Sequence, residues 1–188
     1  MTQATEPTGT PIDDIVERIA RPIVLVGLMG TGKSTIGRRL ANLLQLDFVD
    51  ADEEIEAAAQ MSIAEIFDQF GEAYFRDGER RVIARLMQRG PVVIATGGGA
   101  FVNSETRALI LRDGVAVWLD CDIDTLVERT ARKTTRPLLN SGDPAEILNR
   151  LDRERRPLYS QAPIRVGTDR GPHHQTVMRI VEALRQWL

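Results

Sequence analysis

Gly27, Gly30, Gly32, Lys33 and Ser34 stand in the stretch G-L-M-G-T-G-K-S. They fit G-x-x-x-x-G-K-[ST] at every fixed position. Glycines at this spacing let the backbone turn tightly and aim several N–H groups into one concavity. Lys33 can reach the β- and γ-phosphates of a nucleotide, and the Ser34 hydroxyl can ligate Mg²⁺. The chain uses arginine almost everywhere for positive charge, and its only lysines are Lys33 and Lys133. Other residues able to do chemistry follow apolar runs. Asp50-Ala-Asp52 puts two carboxylates one residue apart, either facing a cleft or with Asp52 capping the helix that follows. Thr96-Gly-Gly-Gly99 is either a flexible turn or a strand end that exposes backbone N–H groups to a ligand, with Thr96 where a nucleotide-binding fold places a magnesium-shell residue. Arg76 and Glu79 are i,i+3 neighbours: an exposed ion pair, or an arginine oriented by Glu79 to grip a carboxylate. Arg129-Thr130 and Arg136-Pro-Leu-Leu139 bracket a polar loop that can close as a lid, with Arg136 stabilising charge on a transferring phosphoryl group. Arg153, Arg155 and Arg156 precede Pro157-Leu-Tyr159.

The elements that must position these residues are legible as alternating short strands and helices. The segments 23–26, 47–50, 92–96, 115–119 and 164–166 read as short strands, several of them apolar throughout. Helical spacing is expected over 12–20, from about 33 to 44, and over 52–59, 63–70, 72–89, 104–111, 124–132, 144–156 and 175–188. Ser62 with Glu65 makes a capping box, Ser104 is the expected cap of its helix, and Gly71 separates two helices. Gly78 interrupts a helix interior. Strands apolar throughout are covered on both faces, so the expected fold is a three-layer α/β/α sandwich around a five-stranded parallel sheet. Ligands of such sheets sit at the carboxyl ends of the strands, which directs attention to residues 27–34, Asp50, Asp52, 97–99 and Asp120.

Composition narrows the partners. The chain has 188 residues, 43% hydrophobic and 27% charged, with a net charge of −3. It carries no basic tract for nucleic acid and no apolar run near the about 20 residues of a membrane span. The first residues lack the pattern of a secretory signal. Cys121 is the only cysteine, expected as a small packing residue. Trp118 and Trp187 are expected to pack, and His173 and His174 to lie in a surface loop. The expectation is a cytoplasmic monomer: residues 1–20 form a partly mobile N-terminal extension and 21–188 a single domain, with a substrate-binding segment at about 50–90 and the lid at about 130–143.

Taken together, G-L-M-G-T-G-K-S, D-A-D, F-R-D-G-E, T-G-G-G, R-P-L-L and R-R-P-L-Y occur in the order found in shikimate kinases, and from Pro22 onward the chain resembles that family. The resemblance implies the nucleoside-monophosphate-kinase-like P-loop fold. It also implies transfer of the γ-phosphoryl of ATP, with Mg²⁺, to the 3-hydroxyl of shikimate on the route to chorismate and aromatic amino acids. It implies a nucleotide set of Gly30, Thr31, Gly32, Lys33, Ser34, Thr35, Arg129 and Arg136, with Arg129 packing on adenine. Ser34 and Asp50 attend the metal. Asp52 binds the shikimate hydroxyls and takes the proton, Arg76 and Arg155 hold the carboxylate, and Gly97, Gly98 and Gly99 line the pocket. Lys33 and Arg136 join Asp52 as catalytic residues. The adenine-contacting proline is at best Pro172, and residues up to about 20 extend beyond the usual start. A gluconate kinase would share the loop and fold without the D-A-D, T-G-G-G and R-P-L-L set. A non-catalytic nucleotide switch would leave Asp52, Arg76 and Arg155 idle.

Overall fold

The computed structural model describes residues 12–131, 142–168 and 171–188. The mobile-leader expectation for the first residues, most of the lid with Lys133 and Arg136, and Asp169 and Arg170 lie outside that set. Within it, five parallel strands form one sheet in the order β2-β3-β1-β4-β5. They are β1 (Ile23–Val26), β2 (Asp47–Asp50), β3 (Val92–Ala95), β4 (Val115–Asp120) and β5 (Ile164–Gly167). β1 lies between β3 and β4, so successive connections leave it in opposite directions. A cleft opens at the carboxyl end of β1 for that reason.

Alternation along the central strand divides the core between the two faces of the sheet. Val24 and Val26 enter one apolar cluster with residues of α3 (Ala51–Ala59), α4 (Ile63–Leu86) and α7 (Pro144–Tyr159). Ile23 and Leu25 enter the other with α1 (Asp13–Arg18), α2 (Lys33–Leu44) and α8 (His173–Trp187). Three layers follow, as the apolar strands required. Helices α5 (Ser104–Asp113) and α6 (Ile123–Ala131) complete the order. The short α1 seats Ile15 and Ile19 in the second cluster. Gly37 of α2 is fixed by proximity, because a methyl there would meet the Phe48 ring at 2.6 Å.

Several local expectations are corrected. The α3 cap is Asp50, whose Oδ1 accepts from the Asp52 N–H (3.0 Å), so Asp52 lies in the first turn and is not the cap. The α5 cap is Asn103, accepting from Thr106 N–H (2.9 Å), one residue before the expected Ser104. His173 and His174 open α8 rather than sitting in the loop before it. Trp118 is buried as expected, whereas Trp187 is 41% exposed. The Ser62–Glu65 capping box is present, and Gly71 breaks the helical path of α4 with φ 80° and ψ 174°. Past that kink α4 runs on to Leu86, with Arg76 and Glu79 on its second half.

Gly78 lies in that second half, and a methyl built on it meets nothing within 4 Å. Its missing side chain leaves backbone entropy uncompensated. Gly78→Ala is therefore expected to stabilise the protein by about 0.5–1 kcal/mol, a rise in Tm of roughly 1–4 °C by calorimetry, with kcat unchanged. A fall in Tm would show that α4 needs a glycine there.

Candidate active site

The phosphate-loop half of the cleft is built on β1 and α2. Gly27, Gly30 and Gly32 have φ of 139°, 84° and 91°, values that favour glycine. A methyl on Gly27 would also meet the Leu119 carbonyl oxygen at 2.6 Å. Thr31 is buried and donates to the Leu28 carbonyl (2.9 Å). Lys33 Nζ donates to the Gly27 and Leu28 carbonyls (2.8 Å each), which holds the ammonium over the loop. α2 begins at Gly32 with no side-chain cap and no acid in its first turn, whereas α3, α4, α5 and α7 are capped by Asp50, Ser62, Asn103 and Asp143. Uncapped N–H groups beside a lysine suit an anion. Ser34 and Thr35 follow at the exposed start of α2. Arg129 of α6 reaches the loop from the other side, its Nη1 3.5 Å from the Gly30 carbonyl and 3.7 Å from Cys121 Sγ. Cys121 is buried and donates to the Thr168 carbonyl, and burial pushes its thiol above the ordinary range, as a packing residue requires.

Ser34 Oγ donates to Asp50 Oδ2 at 2.5 Å, so the two residues expected at the metal are together. A hydroxyl and one carboxylate are hard oxygen donors, the kind Mg²⁺ takes when substrate phosphates and water complete its shell. No group of three or more His, Cys, Asp or Glu able to hold a metal occurs among the described residues. Thr96 Oγ1 donates to the Leu25 carbonyl (2.9 Å), which ties β3 to β1 and leaves the oxygen's lone pairs as acceptors.

The acceptor half gathers around the three glycines after β3. A methyl on Gly97 would meet Asp52 Oδ1 and Glu79 Oε1, each at 2.9 Å. On Gly98 it would meet the Met29 backbone nitrogen at 3.2 Å, and on Gly99 the Arg76 guanidinium at 2.5 Å. Arg155 Nη1 donates to the Gly98 carbonyl (3.0 Å). Asp52, Arg76, Arg155 and Gly97 to Gly99 are thus assembled in one place, against the phosphate loop. Asp120, also flagged at a strand end, instead joins Arg156 (3.0 Å) and Arg165 (2.6 Å) as a structural ion pair.

Burial decides between the two readings of the Arg76–Glu79 pair, in favour of an arginine oriented by Glu79. Glu79 is 2% exposed, not part of a solvated pair. Its Oε2 accepts from Arg76 Nη1 (2.7 Å), while Oε1 has no hydrogen-bond partner among the described residues. Burial works against the charge of Arg76, and the Glu79 and Glu72 carboxylates outweigh it, so its pKa stands above the ordinary value. The signal for Glu79 was in the sequence: it falls on the buried stripe of Phe75, Val82, Ile83 and Leu86. His173 is half-buried, with Cε1 3.8 Å from where a Gly32 methyl would sit, and burial, then Arg39 and Arg129, lower its pKa. Its place after the carboxyl end of β5 was the available clue.

Comparison with known proteins decides among phosphate-loop enzymes. Residues 29–185 match the family model described as shikimate kinase. The chain belongs to the shikimate kinase family. It is 60% identical to the shikimate kinase of Novosphingobium aromaticivorans, with 96% of each chain covered. It is 56% identical to that of Caulobacter vibrioides, covering 93% of this chain and 87% of that one. A shikimate kinase from Acinetobacter baumannii, solved in complex with shikimate, superposes with a TM-score of 0.88 at 35% identity, covering 94% of this chain and 98% of that one. A gluconokinase from Sinorhizobium meliloti shares the fold, with a TM-score of 0.61 at 19% identity over 90% and 94%. Shikimate kinases are ATP-dependent kinases, and this chain is an enzyme of that class. No helix of the described residues is long and apolar enough to cross a membrane.

Glu79 offers a test of the pocket's electrostatics. Burial raises its pKa above 4.5, Arg76 pulls it down, and Asp52 adds to the rise. A carboxyl that holds its proton more tightly when folded stabilises the fold fully below the unfolded pKa, and that contribution is lost as pH climbs through the folded value. Glu79→Gln removes this titration. The Tm of the variant minus that of the wild type is therefore expected to increase with pH from about 4.5 upward, measured by calorimetry. A difference that stays flat would contradict the raised pKa.

Proposed function

We propose that the chain transfers the γ-phosphoryl group of ATP to the 3-hydroxyl of shikimate in this cleft, giving shikimate 3-phosphate and ADP. The observation that carries the reading is the contact of Gly98 with the phosphate loop while Gly97 and Gly99 abut Asp52 and Arg76. One turn joins a phosphate cradle to a pocket for a small anion.

The residues divide the work. Gly30, Thr31, Gly32, Lys33, Ser34 and Thr35 hold the phosphates through loop N–H groups, the start of α2 and the Lys33 ammonium. Arg129 flanks the adenine. Ser34 and Asp50 would hold Mg²⁺, which when bound neutralises phosphate charge. Arg76, fixed by Glu79, and Arg155 bind the carboxylate. Asp52 orients the 3-hydroxyl and accepts its proton as the new O–P bond forms and the bond to the β-phosphate oxygen breaks. Arg136 is assigned by its R-P-L-L motif to the transferring group, the lid at about 130–143 closing over it. Phosphoryl transfer needs positioning and charge neutralisation above all, and these residues supply both. In this reading the enzyme works as a cytoplasmic monomer, with all the named residues from one chain and neither nucleic acid nor membrane involved.

A coupled assay of ADP release tests the reading, with turnover expected only when shikimate is present. Arg76→Ala is expected to raise KM for shikimate about ten- to a hundredfold, the size of a lost charge-assisted bond, with little change in KM for ATP. Asp52→Asn is expected to lower kcat by at least about tenfold. Equal effects of Arg76→Ala on both substrates, or normal turnover by Asp52→Asn, would overturn these assignments.

A further inference from the structure

The last turn of α7 carries a buried polar group that this scheme does not use. Tyr159 is 1% exposed, its ring packed near Phe101 and Trp118 with centroids 6.4 and 6.1 Å away. Its hydroxyl donates to the Gly98 carbonyl. The same oxygen accepts from Arg155 Nη1, one helical turn earlier on the same face. One carbonyl of the glycine turn therefore receives two donors from one helix.

The surroundings leave that oxygen as the point where α7 meets the pocket. On the neighbouring face of α7, Arg156 is held by Asp120 (3.0 Å) and Asp152 (2.9 Å) and lies over the Trp118 ring (5.2 Å). Those contacts set how the helix is rotated. Pro157 has no N–H for the Arg153 carbonyl, so the turn that carries Arg155 lacks one of its own backbone bonds. Gly98 in turn rests on the phosphate loop, 3.2 Å from methyl position to Met29 nitrogen.

We propose that Tyr159 is a positioning residue for phosphorylation: its hydroxyl holds the Gly98 carbonyl, and through that shared oxygen it fixes the Gly97–Gly99 turn and the guanidinium of Arg155. The inference rests on the assignment of Arg155 to the substrate carboxylate. Burial pushes the phenol up to about 12, so it remains a donor throughout the working pH range. A ring that only filled space among Phe101 and Trp118 would serve equally as phenylalanine.

Steady-state kinetics of Tyr159→Phe, Arg155→Met and the double variant test this. Tyr159→Phe is expected to raise KM for shikimate about two- to tenfold, the range for one lost hydrogen bond, with KM for ATP unchanged. In the Arg155→Met background the same substitution is expected to cost less, because the group it positions is gone. A purely structural role predicts equal shifts in both KM values, or an undiminished cost in the double variant, and either result overturns the proposal. If Arg155→Met raises KM for shikimate and Tyr159→Phe does not, the positioning role alone falls. If Arg155→Met itself leaves that KM unchanged, the carboxylate assignment fails and the proposal falls with it.

Discussion

Three consecutive glycines after β3 lie so close to their neighbours that a methyl on any of them would make something shift. Carboxylate oxygens of Asp52 and Glu79 crowd Gly97, the phosphate-loop backbone crowds Gly98, and the Arg76 guanidinium crowds Gly99. A turn this thin brings the phosphate-loop backbone, the Asp52 and Glu79 carboxylates and the Arg76 guanidinium close together with no side chain of its own between them. The sheet order supports it, because β3 pairs directly with β1, the strand that feeds the phosphate loop. Thr96 strengthens that junction by bonding to the Leu25 carbonyl.

The charges around the turn are arranged so that few of them can drift. Arg76 is gripped by a carboxylate that is itself buried, which fixes the direction of the guanidinium more firmly than an exposed pair would. A buried carboxylate beside Asp52 carries a desolvation cost, visible in the raised pKa of Glu79. The fold tolerates that cost where an anionic substrate must be met by oriented cations. On the nucleotide side Lys33 is held by loop carbonyls, and α2 keeps its first N–H groups uncapped.

The layers, the parallel sheet and the phosphate loop were legible because apolar runs and glycine spacing are local signals. That Asp52, Arg76, Arg155 and Gly97 to Gly99 lie near one another was legible from short motifs whose order matched a known pattern. The finer failures share a cause. Choosing Asp50 over Asp52, or Asn103 over Ser104, as a helix cap depends on one or two residues of backbone phase, and each pair offers two good capping side chains. Thr96 follows a strand as a metal residue would, and its hydrogen bond to the Leu25 carbonyl is visible only once the neighbouring strand is in place. For Glu79 the spacing left an exposed pair and an orienting acid both open, and its place on a stripe of apolar positions is what buries it and selects the second. The bond from Tyr159 to Gly98, far away in sequence, is set by tertiary packing and has no local signal.

If the glycine turn is the joint between the two half-sites, a small intrusion at its Arg76 end should damage one half and spare the other. Gly99 has an ordinary backbone conformation, φ −99° and ψ −12°, so alanine introduces no strain there, only a methyl where the guanidinium now sits. Titration calorimetry of Gly99→Ala with shikimate, and separately with a non-hydrolysable ATP analogue, is the most direct measurement. Shikimate affinity should fall about tenfold, near 1.4 kcal/mol, while affinity for the analogue is unchanged. Undiminished shikimate binding, or equal loss of both ligands, would contradict the account.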